Sequence, residues 1–251
     1  MKWGQPGGNR NEGWIEDLNR HRTDLSRRRL LGGAAALGAT ALTAAANPAI
    51  AKWLPPTPMQ PAGPFYHPLP PLSVDNDLVY HKGKTEPAEG DIIHVMGRML
   101  DPSGKPIAGA RVEIWQANIW GRYNHPRHAN ANLPDDPNFF GFGHTKSNAS
   151  GAYRFRSIKP GAYPDNPNWI RPPHIHFAIF PPKSEVWTTQ MYFAGEVLND
   201  EDFLLQGIKD PKARQRVIVP FKSTGPKFES GSDLGVFDIV IGQPGVERKN
   251  I

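Results

Sequence analysis

Glycine and proline punctuate this chain so densely that few stretches are long enough for an extended helix: there are 25 Gly and 27 Pro among 251 residues. Proline removes a backbone donor and clashes inside a helix, and glycine costs about 1 kcal/mol there relative to alanine. A helical bundle or a doubly wound α/β fold is therefore disfavoured, and a turn-rich β protein is expected. A hydrophobic content of 38%, with 10% aromatics, supports one core, and the length suits one domain with an extension. The chain has no cysteine, which excludes disulfides, zinc ribbons, iron–sulfur clusters and thiol nucleophiles together. Any metal must be held by His, Tyr or carboxylate.

The first 51 residues have the layout of an export signal. A polar stretch ends in Ser26-Arg27-Arg28-Arg29, an Ala/Gly-rich apolar run spans 30–46, and Ala49-Ile50-Ala51 offers a small-x-small cleavage site. The adjacent arginines resemble a twin-arginine leader, with Leu30-Leu31 where that pattern has a Phe. The competing assignment is an uncleaved anchor, which the 17-residue run of small residues disfavours. The expected organisation is a signal over 1–51 and a mature domain over 52–251, periplasmic or extracellular, with no stable membrane insertion after cleavage. The leader holds seven of the basic and four of the acidic residues, so its removal leaves 22 against 20 and lowers the net charge from +5 to +2. The basic character belongs largely to the leader, and no nucleic-acid partner is expected.

Eight prolines between Lys52 and Leu72 mark an extended arm that must lie along a surface or a partner. Beyond Gly90 short β-like runs alternate with turn signals. Residues 92–100 and 110–116 flank the turn cluster Asp101-Pro102-Ser103-Gly104-Lys105-Pro106 and read as a hairpin-like pair. Further strands are expected at 152–158, 174–180, 187–193, 216–221 and 236–241, a short helix near 200–207, and a long irregular loop over 121–150. Together these predict an all-β antiparallel sandwich with long active-site loops.

His174-Ile175-His176 lies in one of these runs, so a period of two puts both imidazoles on one face and Ile175 on the other. Two histidines so placed can share a metal ion, although such a pair is by itself a weak signal. Two tyrosines follow glycine-containing turns, Gly121-Arg122-Tyr123 and Gly161-Ala162-Tyr163, and a buried tyrosine taken singly is most often a core residue. Trp115 and Phe177 read as core, and His67, His81, His94, His125, His128 and His144 as exposed or structural.

The joint pattern is more specific. Glu113-Ile114-Trp115-Gln116-Ala117-Asn118, Gly121-Arg122-Tyr123, Asp136-Pro137-Asn138-Phe139, the run from Ile158 to Pro164, Arg171-Pro172-Pro173-His174-Ile175-His176-Phe177 and Thr189-Gln190-Met191-Tyr192-Phe193 resemble the intradiol ring-cleaving dioxygenases. Within that family the likeness is nearest to the iron-bearing (beta) chains of the protocatechuate 3,4-dioxygenase type, and it covers about residues 62 to 205. The resemblance implies one non-haem Fe(III) per chain, held by Tyr123, Tyr163, His174 and His176. Phenolate is a hard anionic donor that favours ferric iron, and two neutral imidazoles complete the set. It further implies a catecholic substrate and O2 as reactants, with Tyr163 giving way to the substrate and taking up one of its protons while Tyr123 stays bound. Arg171 corresponds to an arginine that stabilises charge building up on the ring, a role suited to a fixed guanidinium. Gln190 corresponds to a group that orients oxygen or the departing tyrosine.

The resemblance has departures. Asp165 stands where the nearest family members have a tryptophan at the substrate pocket, the segment to Arg171 is shorter, and nothing in the chain replaces a partner subunit. A protocatechuate-like substrate is favoured over bare catechol, with hydroxyquinol or another substituted catechol as the alternative. A homo-oligomer or a partner chain fits the family. The reading from a different class is a non-catalytic secreted β-sandwich binding module, which has no need of two Tyr and two His in family order.

Overall fold

The computed structural model describes residues 53–66, 75–80, 83–128, 132–182, 184–226 and 228–242. The leader over 1–51 and the residues His67 and His81 lie outside the described residues. Two five-stranded sheets face each other. The first is built around β1 (Ile92–Leu100), which pairs antiparallel with β4 (Ala152–Ile158) on one side. On its other side β1 pairs parallel with β11 (Asp233–Val236) and then with β12 (Ile239–Val240), and β10 (Phe221–Ser223) closes the edge. The second sheet runs β3 (Phe142–Lys146), β2 (Arg111–Trp115), β7 (His174–Phe180), β8 (Trp187–Phe193), β9 (Ile218–Val219). A separate hairpin pairs β5 (Tyr163–Asn166) with β6 (Trp169–Arg171).

The all-β sandwich expected from the sequence is what forms, with most pairs antiparallel and parallel pairing confined to β11, β12 and β9. One local expectation fails: β1 and β2 do not pair, and they lie in different sheets. The turn cluster between them is real, since Asp101 Oδ1 accepts from the Lys105 amide at 2.9 Å and from the Ser103 hydroxyl at 2.6 Å. Its role is to carry the chain from one sheet to the other. The loop expected over 121–150 contains β3, whose Gly143 is crowded by Leu78 and Asp75, so that no side chain fits there. The helix near 200–207 forms as a 3-10 turn (Val197–Asp200) and α1 (Phe203–Gly207), capped by the Asp202 side chain. A second short helix, α2 (Pro211–Gln215), not expected from the sequence, starts behind Asp210, whose side chain accepts the Lys212 amide, with Pro211 at the first helical position.

Alternation along β2, β7 and β8 assigns each side chain to a face. Val112, Ile114, Ile175, Phe177, Ile179 and Met191 enter the main core between the sheets, where all are fully buried. Each contributes about 1.5–3 kcal/mol by leaving water. Trp115, Ala178, Tyr123 and Tyr163 belong to a second cluster on the outer side of the sheet, with Phe65 and Tyr66 packed against it. Those last two residues come from the proline-rich arm, which lies along its own chain. Gln60 N–H donates to Thr188 O at 3.0 Å, Thr57 N–H to Val240 O at 2.9 Å, and Tyr66 Oη to Glu113 Oε2 at 2.6 Å. The arm roofs a face that would otherwise expose the carboxylate of Glu113 and the indole of Trp115.

Candidate metal centre

Under that roof the four side chains singled out in the sequence converge. His174 and His176 sit on β7 opposite Tyr192 and Gln190 of β8, and His176 is also opposite Trp115 of β2. The two imidazole Nε2 atoms are 3.1 Å apart, and the Tyr123 hydroxyl is 3.3 Å from His174 Nε2. The Tyr123 and Tyr163 rings meet edge to face at 5.3 Å, and the Tyr163 ring lies 5.7 Å from that of His174. All four residues are buried.

The tyrosines are brought together by the glycines two residues before each. A Cβ on Gly161 would stand 2.2 Å from Ile119 O and 2.7 Å from Gly121 N, and one on Gly121 would stand 2.2 Å from Ala162 O. The two loops therefore touch backbone to backbone, and Gly121 also needs its φ of +83°. Asn118, buried, ties the contact: its carbonyl accepts from Gly121 N and Gly161 N, and its Oδ1 from Trp120 N and Arg122 N. His128, taken from the sequence as exposed or structural, is structural, because its Nδ1 accepts the Tyr123 amide at 2.7 Å. Burial lowers its pKa and so keeps that nitrogen free to accept.

Burial also governs the charge state of the cluster. It pushes the Tyr123 phenol well above its ordinary value and raises that of Tyr163, while it drives both His174 and His176 well below the usual imidazole range, with the Arg171 guanidinium adding to that lowering. The cluster is thus neutral imidazole and protonated phenol until something displaces the phenol protons. His174 Nδ1 is 2.6 Å from Pro172 O and donates to it, which leaves the Nε2 lone pair directed at His176.

His176 then has no satisfactory tautomer. With its proton on Nδ1, a buried atom that finds no partner, two lone pairs face each other; with its proton on Nε2, Nδ1 is left as a bare acceptor. A cation shared by the two Nε2 atoms removes the conflict, and two nitrogens bound at about 2.1 Å on perpendicular axes would lie about 3 Å apart, as these do. Among the described residues no three His, Cys, Asp or Glu side chains could hold a metal ion; the oxygen-bearing side chains that stand with the two imidazoles are the phenols of Tyr123 and Tyr163. Hard anionic oxygens beside two imidazoles fit a trivalent iron.

Arg171 ends β6 directly opposite Tyr163 of β5 and lies fully inside the cluster. It is ion-paired to Asp202, with Nε 2.9 Å from Oδ2, and points Nη1 at His174 Nε2 at 3.2 Å. Gln190, which the resemblance gives as orienting oxygen or the departing tyrosine, sits beside Arg171. Its Oε1 accepts from Arg171 Nη2 at 2.9 Å and its Nε2 donates to Pro61 O at 3.0 Å, so it is spent on holding the guanidinium and the arm. Trp115 is buried as expected but on the site's side, stacked on His176 at 4.9 Å and 8°. Sequence reasoning also missed Phe65, stacked on Tyr123 at 4.5 Å, and the group formed by Gln60, Tyr192 and Asp202.

A non-catalytic module has no use for two imidazoles and two phenols buried together, and comparison with known proteins agrees. The family model described as Dioxygenase matches residues 62–242. The beta chain of protocatechuate 3,4-dioxygenase from Burkholderia cepacia is 44% identical over 172 residues, 67% of this chain and 72% of that one. Catechol 1,2-dioxygenase 1 from Acinetobacter lwoffii is 34% identical over 125 residues, which span 45% of this chain and only 38% of the relative. Among solved structures, the dioxygenase domain of a dioxygenase–carbohydrate-binding protein fusion from Streptomyces sp. SirexAA-E superposes with a TM-score of 0.56 at 30% identity, over 75% of this chain and 99% of that one. With the family model matching residues 62–242, the chain belongs to the dioxygenase family, in its intradiol ring-cleaving branch.

Proposed function

We propose that this chain binds one non-haem Fe(III) through Tyr123, Tyr163, His174 and His176 and uses O2 to open a substituted catechol between its two hydroxyl-bearing carbons. The observation that carries this reading is the pair of imidazole nitrogens 3.1 Å apart, with a phenol oxygen at 3.3 Å, all buried. The substrate it favours is protocatechuate (3,4-dihydroxybenzoate), opened to 3-carboxy-cis,cis-muconate, on the strength of the 44% identity to a protocatechuate 3,4-dioxygenase beta chain. Hydroxyquinol or another substituted catechol is the alternative. When bound, Fe(III) supplies a Lewis acid that gathers the two catechol oxygens and draws electron density from the ring.

The chain's own residues do the rest. Tyr163 Oη, its pKa raised by burial, is a strong holder of a proton and receives one from a catechol hydroxyl. Tyr123, fixed at its backbone by His128 and at its ring by Phe65, keeps its place. Arg171 stays charged, because its hydrogen-bonded ion pair with Asp202 outweighs the cost of burying it, and it presents Nη1 toward charge developing on the ring. The arm and the loop carrying Tyr123 exclude water, which strengthens that interaction.

The reading is tested by adding protocatechuate, catechol and hydroxyquinol separately to iron-loaded protein while following O2 uptake and product mass. One O2 consumed per ring, with both oxygen atoms in a muconate-type product, is expected; no uptake with any of the three overturns it. Two further proposals travel with it. The mature protein begins at Lys52 outside the cytoplasm, which N-terminal mass spectrometry of the exported form decides. It also assembles with a partner chain or with further copies of itself, which native mass measurement reads.

A further inference from the structure

Arg171 carries five N–H groups, and the structure spends three of them, on Nε and Nη2, away from the histidine and tyrosine cluster. Nε donates to Asp202 Oδ2 at 2.9 Å, and Nη2 donates to Asp202 Oδ1 at 3.3 Å, to Gln190 Oε1 at 2.9 Å and to Tyr192 Oη at 3.1 Å. Only Nη1 faces the cluster. A carboxylate that meets two nitrogens of a planar guanidinium fixes both its direction and its plane. Asp202 is itself fixed. It is wholly buried, it caps α1 by accepting the Leu205 amide at 2.8 Å, and its Oδ1 lies 3.3 Å from Tyr192 Oη.

We propose that Asp202 is the positioning residue for Arg171: by clamping the Nε–Nη2 edge and matching the guanidinium charge, it aims Nη1 at the reacting ring. This deepens the function proposed above and rests on it. Without the carboxylate, Arg171 retains Gln190 and Tyr192 as neutral acceptors at one corner only, and the plane is free to turn about it. A second consequence concerns charge. The Arg171–Asp202 pair is neutral as a unit, so it can sit beside His174 and His176 without repelling the cation they share. Asp202 lies thirty-one residues from Arg171 in sequence, in a segment whose local signature is only that of a helix cap.

Asp202→Asn is the informative substitution, because asparagine caps a helix as well as aspartate does and removes only the charge and the fork. Iron-loaded Asp202→Asn should keep KM within about threefold and lose kcat by about thirtyfold or more, the pattern of an interaction made in the transition state. In an Arg171→Ala background the same change should have almost no further effect on kcat. Unchanged kcat, or an equal loss in both backgrounds, overturns the proposal. Should the Asn variant fold poorly by its melting temperature, Asp202→Glu reads the same coupling with a carboxylate retained. In protein loaded with diamagnetic Ga(III), the Arg171 Nε–H signal in 15N NMR should exchange with solvent at least tenfold faster in Asp202→Asn than in wild type. A wild-type chain that cleaves no catechol while showing that contrast sinks the proposed reaction and leaves the positioning intact; no contrast in exchange sinks the positioning.

Discussion

Trp115 lies flat on His176, ring centroids 4.9 Å apart and planes within 8°, because β2 pairs with β7 in the register that sets these two residues opposite each other. The indole is the floor that stops the imidazole from rotating, and the arm holds it from above through Tyr66, whose ring meets it at 4.8 Å. Trp115→Phe should preserve a stacking surface, and Trp115→Leu should not. Both open space in a packed cluster and should destabilise the fold by about 1–4 kcal/mol. The distinguishing outcome is metal retention: iron should leave the Leu variant for an external chelator about tenfold faster than it leaves the Phe variant, as expected for a ligand that has lost its support. Equal release rates would sink the idea that the indole orients His176.

The contact between Gly121 and Gly161 makes a separate prediction. A methyl group at position 161 meets backbone oxygen and nitrogen rather than a pliable side chain, so Gly161→Ala must push the two tyrosine loops apart. Overpacking of this kind costs about 1–3 kcal/mol, and here the displacement falls on Tyr123 and Tyr163 together. Iron content of the purified variant should drop below half of wild type while the β-sheet circular dichroism is kept. Gly207→Ala, at the end of α1 with nothing within 4 Å of the added carbon, is the matched control and should change stability by less than about 1 kcal/mol. Full iron content in Gly161→Ala would show that the loops do not need to touch.

Phenolate bound to Fe(III) gives a visible charge-transfer band, so iron-loaded protein is expected to be reddish. Tyr123→Phe and Tyr163→Phe each remove one oxygen and almost no volume from the buried cluster, and both variants should melt within a few degrees of wild type. Each should shift or weaken the band, which an absorption spectrum at known iron content reads directly. Colour that survives unchanged in both variants would exclude the two tyrosines as ligands.

Much of this site was written in the sequence. The period of a strand put His174 and His176 on one face, but that pair was weak alone and either tyrosine read singly as core; only the resemblance, carried by the motifs around them, joined the four. What stayed hidden depended on which strand lies beside which. Trp115 could not be told from a core residue until β2 was placed against β7, and the hairpin drawn between β1 and β2 was wrong because a good turn signal does not say whether the chain returns to the same sheet. Asp202 lies in the short helical segment the sequence marked near 200–207, and nothing local to it points to Arg171, thirty-one residues earlier. The arm looked like a segment in need of some surface to lie on, and proline composition carries no information about which surface that is.

Away from the site, His94 supplies a pH dependence. It is buried beside Glu229, Nε2 to Oε1 at 3.1 Å, with Arg154 and Arg156 nearby and the Phe228 ring tilted against it at 4.7 Å. Burial and the two guanidiniums lower its pKa to about 4 against the opposing pull of Glu229, whose own carboxyl is held low by Arg156. The folded protein therefore takes up this proton later than the unfolded chain, for which an ordinary value of about 6.5 applies. Stability from this group is complete above about pH 6.5 and is lost as pH falls toward 4. The melting temperature should fall by several degrees across that window, and His94→Leu should flatten the slope. An equally steep slope in the variant would assign the loss to other groups.

At Gln60 the arm does the work of a strand. β9 covers only Tyr192 and Phe193 of β8, so the ladder groups of residues 188 to 190 on that edge need other partners. The arm supplies them although it is rich in proline. Gln60 N–H donates to Thr188 O, and Pro58 O and Pro61 O, having no N–H beside them, accept instead from Thr189 Oγ1 and Gln190 Nε2. The donor that β8 still presents, Gln190 N–H, is met by the Gln60 side chain, whose Oε1 accepts it at 3.1 Å while its Nε2 donates to Tyr192 Oη at 3.0 Å. Gln60→Ala leaves a buried N–H without an acceptor, a loss of about 1–3 kcal/mol, and also frees one side of the group that holds Arg171. A lowered urea midpoint with an unchanged m-value is expected, together with faster hydrogen exchange at the Gln190 amide and little change elsewhere in β8. Gln60→Glu should fare no better, since it keeps the acceptor but removes the donor to Tyr192 and brings a second carboxylate toward Asp202. Wild-type protection of the Gln190 amide in Gln60→Ala would mean that the arm is only a cover and not part of the sheet.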